Sequence, residues 1–196
     1  MSAVPKIVAL AGSLRKDSFN KKLVRIAADA AKHAGAEVTL IDLKDYPLPI
    51  FDEDLEKESG VPAKAMELKK LFIGSDAIMI SAPEYNSSIT AVLKNTIDWL
   101  SRPVPNEAPL AAFTGKTAVL MAASPGALGG LRGLVTVRSI LGNIGVILLP
   151  EQVAVMKAHE AFNADGTLKD AKQQQSVQKL GERLAVVARK LKAIEF

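Results

Sequence analysis

Three short polar segments carry the side chains of this 196-residue chain that are best placed to do chemistry. The first, Gly12-Ser13-Leu14-Arg15-Lys16-Asp17-Ser18-Phe19-Asn20, combines two hydroxyls and a carboxamide with a guanidinium. If it runs into a helix, the unpaired backbone N–H groups and the positive dipole end of that helix complete a donor set for a phosphate. Arg15 would give the strongest, charge-assisted bonds of that set. The same residues also suit an ordinary helix start, with Asp17 or Ser18 as the cap and Arg15 and Lys16 in water. The segment matches neither Gly-x-x-x-x-Gly-Lys-Ser/Thr nor Gly-x-Gly-x-x-Gly. Triphosphate hydrolysis and dinucleotide pyrophosphate binding are thus disfavoured, and a terminal monophosphate remains.

The second segment, Pro83-Glu84-Tyr85-Asn86-Ser87-Ser88, offers backbone amides, a carboxylate, a phenol and a carboxamide. A flat heteroaromatic ring such as an isoalloxazine needs that mixture of paired polar groups along one edge and an aromatic or aliphatic wall, which Tyr85 can supply. A Pro-initiated turn with solvated polar residues is the plainer alternative. Glu84 has no assignable partner that would make it a general base. The third segment, Ser124-Pro125-Gly126-Ala127-Leu128-Gly129-Gly130, is glycine-rich but misses the dinucleotide fingerprint. Its glycines suit either close approach of backbone to a ring or a tight turn against the sheet.

Composition narrows the chemistry further. With no Cys, disulfides, thiolate metal sites, iron–sulfur clusters and thiol nucleophiles are excluded. His33 and His159 are too few for a histidine metal site; His33 sits at a helix end, and His159 has no second ligand at useful spacing. Asp52, Glu53 and Asp54 read as solvated acidic surface, and Trp99 and Met79 as core. A net charge of +4, from 25 basic and 21 acidic residues without polybasic runs, favours small anions weakly and argues against a nucleic-acid partner. No signal peptide or run of about 20 apolar residues is found, so no membrane span is expected and the cytoplasm is the expected location.

The elements that must position these segments alternate between apolar runs and helical periodicity. Strands are expected at residues 4–11, 37–41, 76–82, 116–124 and 145–149, the last ending before Pro150. Helices are expected from the Leu23, Ile26, Ala27, Ala30 spacing, at 63–72, from the face of Ile89, Val92, Leu93, Thr96, Ile97 and Leu100, and at 131–141. A closing helix carries the stripe Val177, Leu180, Leu184, Val187, Leu191 and Ile194, after a turn at 163–166. Residues 42–62 form an overlong connection suited to a lid, an interface arm or an extra turn of helix near 53–57. This alternation implies an α/β, flavodoxin-like three-layer sandwich, built as one domain over residues 1–196. Its five-stranded parallel sheet would have the order 2-1-3-4-5, with ligands beyond the carboxyl ends of strands 1 and 3. The three polar segments all fall at that end.

Taken in order, the three segments resemble the NADPH-dependent FMN reductase family, most closely its chromate and quinone reductase branch. The stretch Leu93-Lys94-Asn95-Thr96-Ile97-Asp98-Trp99-Leu100-Ser101-Arg102-Pro103 and Arg132 add to the likeness, which spans residues 4–150. The resemblance implies FMN as cofactor and NAD(P)H as co-substrate. Ser13, Arg15, Ser18, Phe19 and Asn20 would hold the phosphate and ribityl chain, Pro83, Glu84, Tyr85 and Asn86 would meet the isoalloxazine largely through backbone, and Ser124, Pro125 and Gly126 would close its other side. It further implies a homodimer or homotetramer, with Arg102 and Arg132 at an interface or on a nicotinamide phosphate. Hydride would pass from NAD(P)H through flavin N5 to quinones or other small acceptors by a ping-pong mechanism without a catalytic side chain. A flavodoxin-like electron carrier and a flavin-sensing protein without nicotinamide turnover are the alternatives.

Overall fold

The computed structural model describes residues 4–193. In chain order the elements are β1 (Lys6–Ala11), α1 (Phe19–His33), β2 (Glu37–Ile41), α2 (Glu53–Ser59), α3 (Ala63–Ile73), β3 (Ala77–Ser81), β4 (Glu84–Tyr85), β5 (Ser88–Ile89), α4 (Ala91–Leu100), β6 (Thr117–Ala123), α5 (Leu131–Asn143), β7 (Ile147–Val155), α6 (Ala158–Ala161) and α7 (Ala171–Lys192). Five strands pair in parallel in the order β2-β1-β3-β6-β7. Counting those five alone, this is the expected order 2-1-3-4-5, and the antiparallel β4-β5 pair stands apart from the sheet.

The burial of each strand follows its place in that order. The central strands β3 and β6 are buried at every residue, which is why AIMIS and TAVLMAA carry almost no polar side chains. On one face Ile7, Ala9, Met79, Val119 and Met121 pack against Leu23 and Ala27 of α1 and Leu180 and Leu184 of α7. On the other, Val8, Leu10, Ile78, Ile80 and Leu120 meet Leu68 and Phe72 of α3, Leu93 and Ile97 of α4, and Leu134 of α5. Helices α1 and α7 cross unusually closely. A Cβ on Gly181 would lie 1.9 Å from the carbonyl oxygen of Ala27, so only hydrogen fits there.

The structure departs from sequence expectation in two places. The last strand does not stop before Pro150 but runs on to Val155, through an irregularity where pairing jumps from Ala118↔Leu148 to Leu120↔Gln152. Proline is tolerated because β7 is an edge strand, where a missing N–H breaks no central ladder. Ile89 belongs to β5, and α4 starts only after Thr90, whose hydroxyl accepts the Leu93 N–H as an N-cap. Ile194, the last expected member of the α7 stripe, lies outside the described residues.

The long connection after β2 contains the extra helix, α2, and is clamped to α4. The Pro49 carbonyl accepts from Asn95 Nδ2 and Trp99 Nε1, each at 2.8 Å, while the Phe51 N–H donates to Asn95 Oδ1. Phe51 packs edge-on against Trp99, and Arg102 Nε binds the Glu56 carboxylate at 2.8 Å. The segment is therefore a strap across the end of α4.

Candidate cofactor site

The connection leaving β1 is shaped by what lies beneath it. Gly12 donates its N–H to the Ser81 carbonyl at the end of β3, and its own carbonyl accepts from Thr90 Oγ1 at 2.7 Å. A Cβ on Gly12 would sit 3.0 Å from Leu93, so a larger residue would push this loop off α4. Beyond it Ser13 is buried, with Oγ accepting the Arg15 N–H at 3.3 Å, while Arg15 itself is exposed.

Ser18 occupies the N-cap of α1 in extended conformation, yet its hydroxyl makes no capping bond although the residue is only 4% exposed. The first helical N–H groups have no intrahelical acceptor by construction, and here no side chain takes the place of one at the cap. The start of α1 thus offers donors that its own residues leave unused. Phe19 stacks on Phe162, with ring centroids 5.9 Å apart.

The Asn20 carboxamide is committed to the protein's own strand ends. Its Oδ1 accepts the Ala123 N–H at 2.9 Å and the Ser81 hydroxyl at 2.8 Å, and its Nδ2 donates to the Ala123 carbonyl at 2.8 Å. The carboxamide therefore bonds to the peptide at the end of β6 as a neighbouring strand would, and locks the start of α1 to the ends of β3 and β6. Only its backbone N–H remains on the α1 N-terminal face. Ser81 and Ala123 were missed from sequence; a hydroxyl inside the otherwise apolar strand AIMIS was the available signal for Ser81.

The second segment folds into a hairpin. Glu84 and Tyr85 pair with Ile89 and Ser88, and the two-residue turn has positive φ at Asn86 (52°) and Ser87 (65°). Such values are the requirement of the tight hairpin turns that match strand twist, and they are uncommon for Ser. Tyr85 is left 54% exposed. Glu84 Oε2 accepts the Gly133 N–H at 3.0 Å, and Oε1 meets Arg132 Nη2 at 2.8 Å and Nε at 3.0 Å. Burial alone would raise the Glu84 pKa, but the Gly133 N–H and the Arg132 guanidinium outweigh it and hold the carboxyl below its ordinary value. Glu84 is an anion with its oxygens occupied, which disfavours it as a general base.

The glycines of the third segment divide into two groups. A Cβ on Gly130 would lie 2.7 Å from that of Ala122, and one on Gly129 would lie 2.8 Å from the backbone of Val155. Both also have positive φ, so these two allow the chain to turn tightly against its own strand ends, and close approach to a ring is not what requires them. Gly126 differs, since a Cβ there would meet only Ser124 Oγ, at 3.7 Å.

A cleft at the carboxyl ends of the strands gathers all three segments. It is lined by Ser13, Arg15, Ser18, Phe19, Asn20, Pro83, Glu84, Tyr85, Ala123, Ser124 and Pro125. Of the sequence-selected residues only Asn86 and Gly126 stand outside the lining. The cleft has a volume of about 60 Å³, room for a phosphate-sized group, and Tyr85 stands exposed at the lining. A larger open groove of about 840 Å³ between β7 and α7 contains none of these residues. Arg102 is engaged with Glu56 in the strap, whereas Arg132 is tied to Glu84 beside the cleft.

With this geometry in view, the likeness to known proteins is specific. The family model described as NADPH-dependent FMN reductase matches residues 5–160. The NAD(P)H-dependent FMN reductase PA1204 of Pseudomonas aeruginosa is 33% identical over 193 residues, covering 98% of this chain and 100% of its own. The quinone reductase of Escherichia coli is 39% identical over 141 residues, or 72% and 71% of the two chains. Among solved structures, FerB, a flavoenzyme NAD(P)H:(acceptor) oxidoreductase from Paracoccus denitrificans, superposes with a TM-score of 0.80 at 30% identity, covering 95% of this chain and 98% of its own. Sheet order, loop placement and sequence agree: the chain has the flavodoxin-like fold and belongs to the NADPH-dependent FMN reductase family.

Proposed function

We propose that this NAD(P)H-dependent FMN and quinone oxidoreductase holds FMN in the cleft between the 12–20 loop, the β4-β5 hairpin and the 124–126 turn. The observation that carries the reading is Ser18, a buried N-cap residue whose hydroxyl caps nothing. A dianionic phosphate supplies the acceptors that the helix start lacks. The residues fit the group on that ground: Ser13 and Ser18 offer hydroxyls, Arg15 a guanidinium, and α1 its first N–H groups. Asn20 contributes its backbone N–H, and its carboxamide holds the loop in place. Pro83, Glu84, Tyr85 and Asn86 would bound the ring on one side and Ser124, Pro125 and Gly126 on the other.

FMN held by these residues would supply the redox chemistry, the passage of two electrons from a nicotinamide hydride to a quinone. The chain itself binds, orients and stabilises. Backbone N–H groups of the hairpin would favour negative charge at the ring's polar edge. Tyr85, exposed at the lining, gives the second substrate an aromatic wall. One open cleft serving donor and acceptor in turn leads to ping-pong kinetics. We further propose a cytoplasmic homodimer or homotetramer; among the described residues no helix is long and apolar enough to cross a membrane.

The test is steady-state turnover of FMN-loaded protein with NADPH or NADH against a quinone at several fixed concentrations. Parallel double-reciprocal lines are expected. Intersecting lines would contradict the shared cleft, and turnover indistinguishable from free FMN would favour an electron carrier.

A further inference from the structure

Helix α5 begins without a cap of its own. Its N-cap residue is Gly130, which has no side chain to accept the N–H groups of the first turn. The third helical residue is Gly133, and its N–H is the one an N-cap side chain ordinarily binds. That bond is made instead by Glu84, a residue 49 positions earlier on the hairpin, at 3.0 Å. The other carboxylate oxygen takes Arg132 from the same turn of α5. A negative charge at this end of a helix also complements the dipole. The Glu84 side chain is only 8% exposed, so water competes little for these bonds.

The contact is built for close approach. A Cβ on Gly133 would lie 3.3 Å from Glu84 Cβ and 3.3 Å from the Ser88 carbonyl, and so would push the hairpin outward. Glu84 belongs to the hairpin that carries Tyr85, and α5 follows directly on the turn 124–130. A tie between them fixes the distance between the two loops on opposite sides of the proposed ring slot.

We propose that Glu84 is a positioning residue that caps α5 across the fold and thereby sets the width of the slot for a flat ring. The proposal rests on the reading that this cleft takes FMN. It separates the two ends of the ligand: Arg15 and Ser18 act on the phosphate, Glu84 on the ring. Riboflavin, which has the ring and lacks the phosphate, is therefore the probe.

The experiment compares wild type, Glu84→Ala and Glu84→Gln by flavin fluorescence quenching with FMN and with riboflavin, alongside amide exchange of Gly133. Glu84→Ala is expected to weaken both flavins by the same factor, about tenfold or more, and to speed exchange at Gly133. Glu84→Gln, whose amide oxygen still accepts the Gly133 N–H, is expected to restore affinity to within about threefold of wild type and to restore slow exchange. Were Glu84→Ala not to fold, Glu84→Gln and Arg132→Ala carry the test, both being expected to keep Gly133 protected and riboflavin bound. Unchanged affinity in Glu84→Ala, a loss confined to FMN, or Glu84→Gln with fast Gly133 exchange would each overturn the proposal. Wild-type protein that binds neither flavin would instead overturn the FMN reading, and the ring-side role with it.

Discussion

At the scale of single residues, the site depends on side chains that hold loops as much as on those that face the cleft. Asn20 makes three hydrogen bonds to Ser81 and Ala123, all buried. Asn20→Ala leaves the Ala123 N–H and carbonyl without partners, and should cost about 3 kcal/mol in urea unfolding. For Glu84 the sign of the pH effect follows from its lowered pKa. Its stabilising contribution is present above the ordinary carboxylate pKa and is lost as the pH falls through the lower folded value. Glu84→Gln should therefore flatten the decline of Tm between neutral and strongly acid pH, and an unchanged acid limb would contradict this. The types of these residues were legible in the sequence, but their direction was not. A carboxamide in a phosphate-like loop points to a ligand until the packing of β3 and β6 shows its amide turned inward.

At the scale of elements, spacing and polarity gave the helices and buried strands, while boundaries followed contacts that sequence does not display. The strand past Pro150 exists because the edge of the sheet forgives a missing N–H, and edge position depends on topology. The β4-β5 hairpin rests on positive φ at Asn86 and Ser87, for which the sequence Asn-Ser is a weaker signal than Asn-Gly. Gly181 is another such case. Within an isolated helix Gly→Ala is favourable by about 1 kcal/mol. In α7 the added methyl would overlap the Ala27 carbonyl, so α1 and α7 must part. Gly181→Ala should lower stability by about 3 kcal/mol in denaturant unfolding, and a stabilised variant would show that the crossing is looser than described.

At the scale of the whole molecule, the alternation of strands and helices sufficed for the sheet order, because parallel pairing and right-handed crossovers leave few arrangements. That order in turn brings three segments, far apart in sequence, to one end of the sheet. The strap of residues 42–62 was open to several readings because its fate depends on Asn95, Trp99 and Arg102, none of which is near it in sequence. Glycine spacing in the third segment was ambiguous for a related reason: Gly129 and Gly130 are spent on the chain's own strand ends. What remains for the ligand is concentrated at the start of α1. The most direct measurement is calorimetric titration of the flavin-free protein with FMN and with riboflavin at equal ionic strength. The account predicts that FMN binds about 100-fold or more tightly, and that Arg15→Ala and Ser18→Ala erode that ratio while leaving riboflavin affinity in place. Equal affinity for the two flavins in the unaltered protein would contradict it.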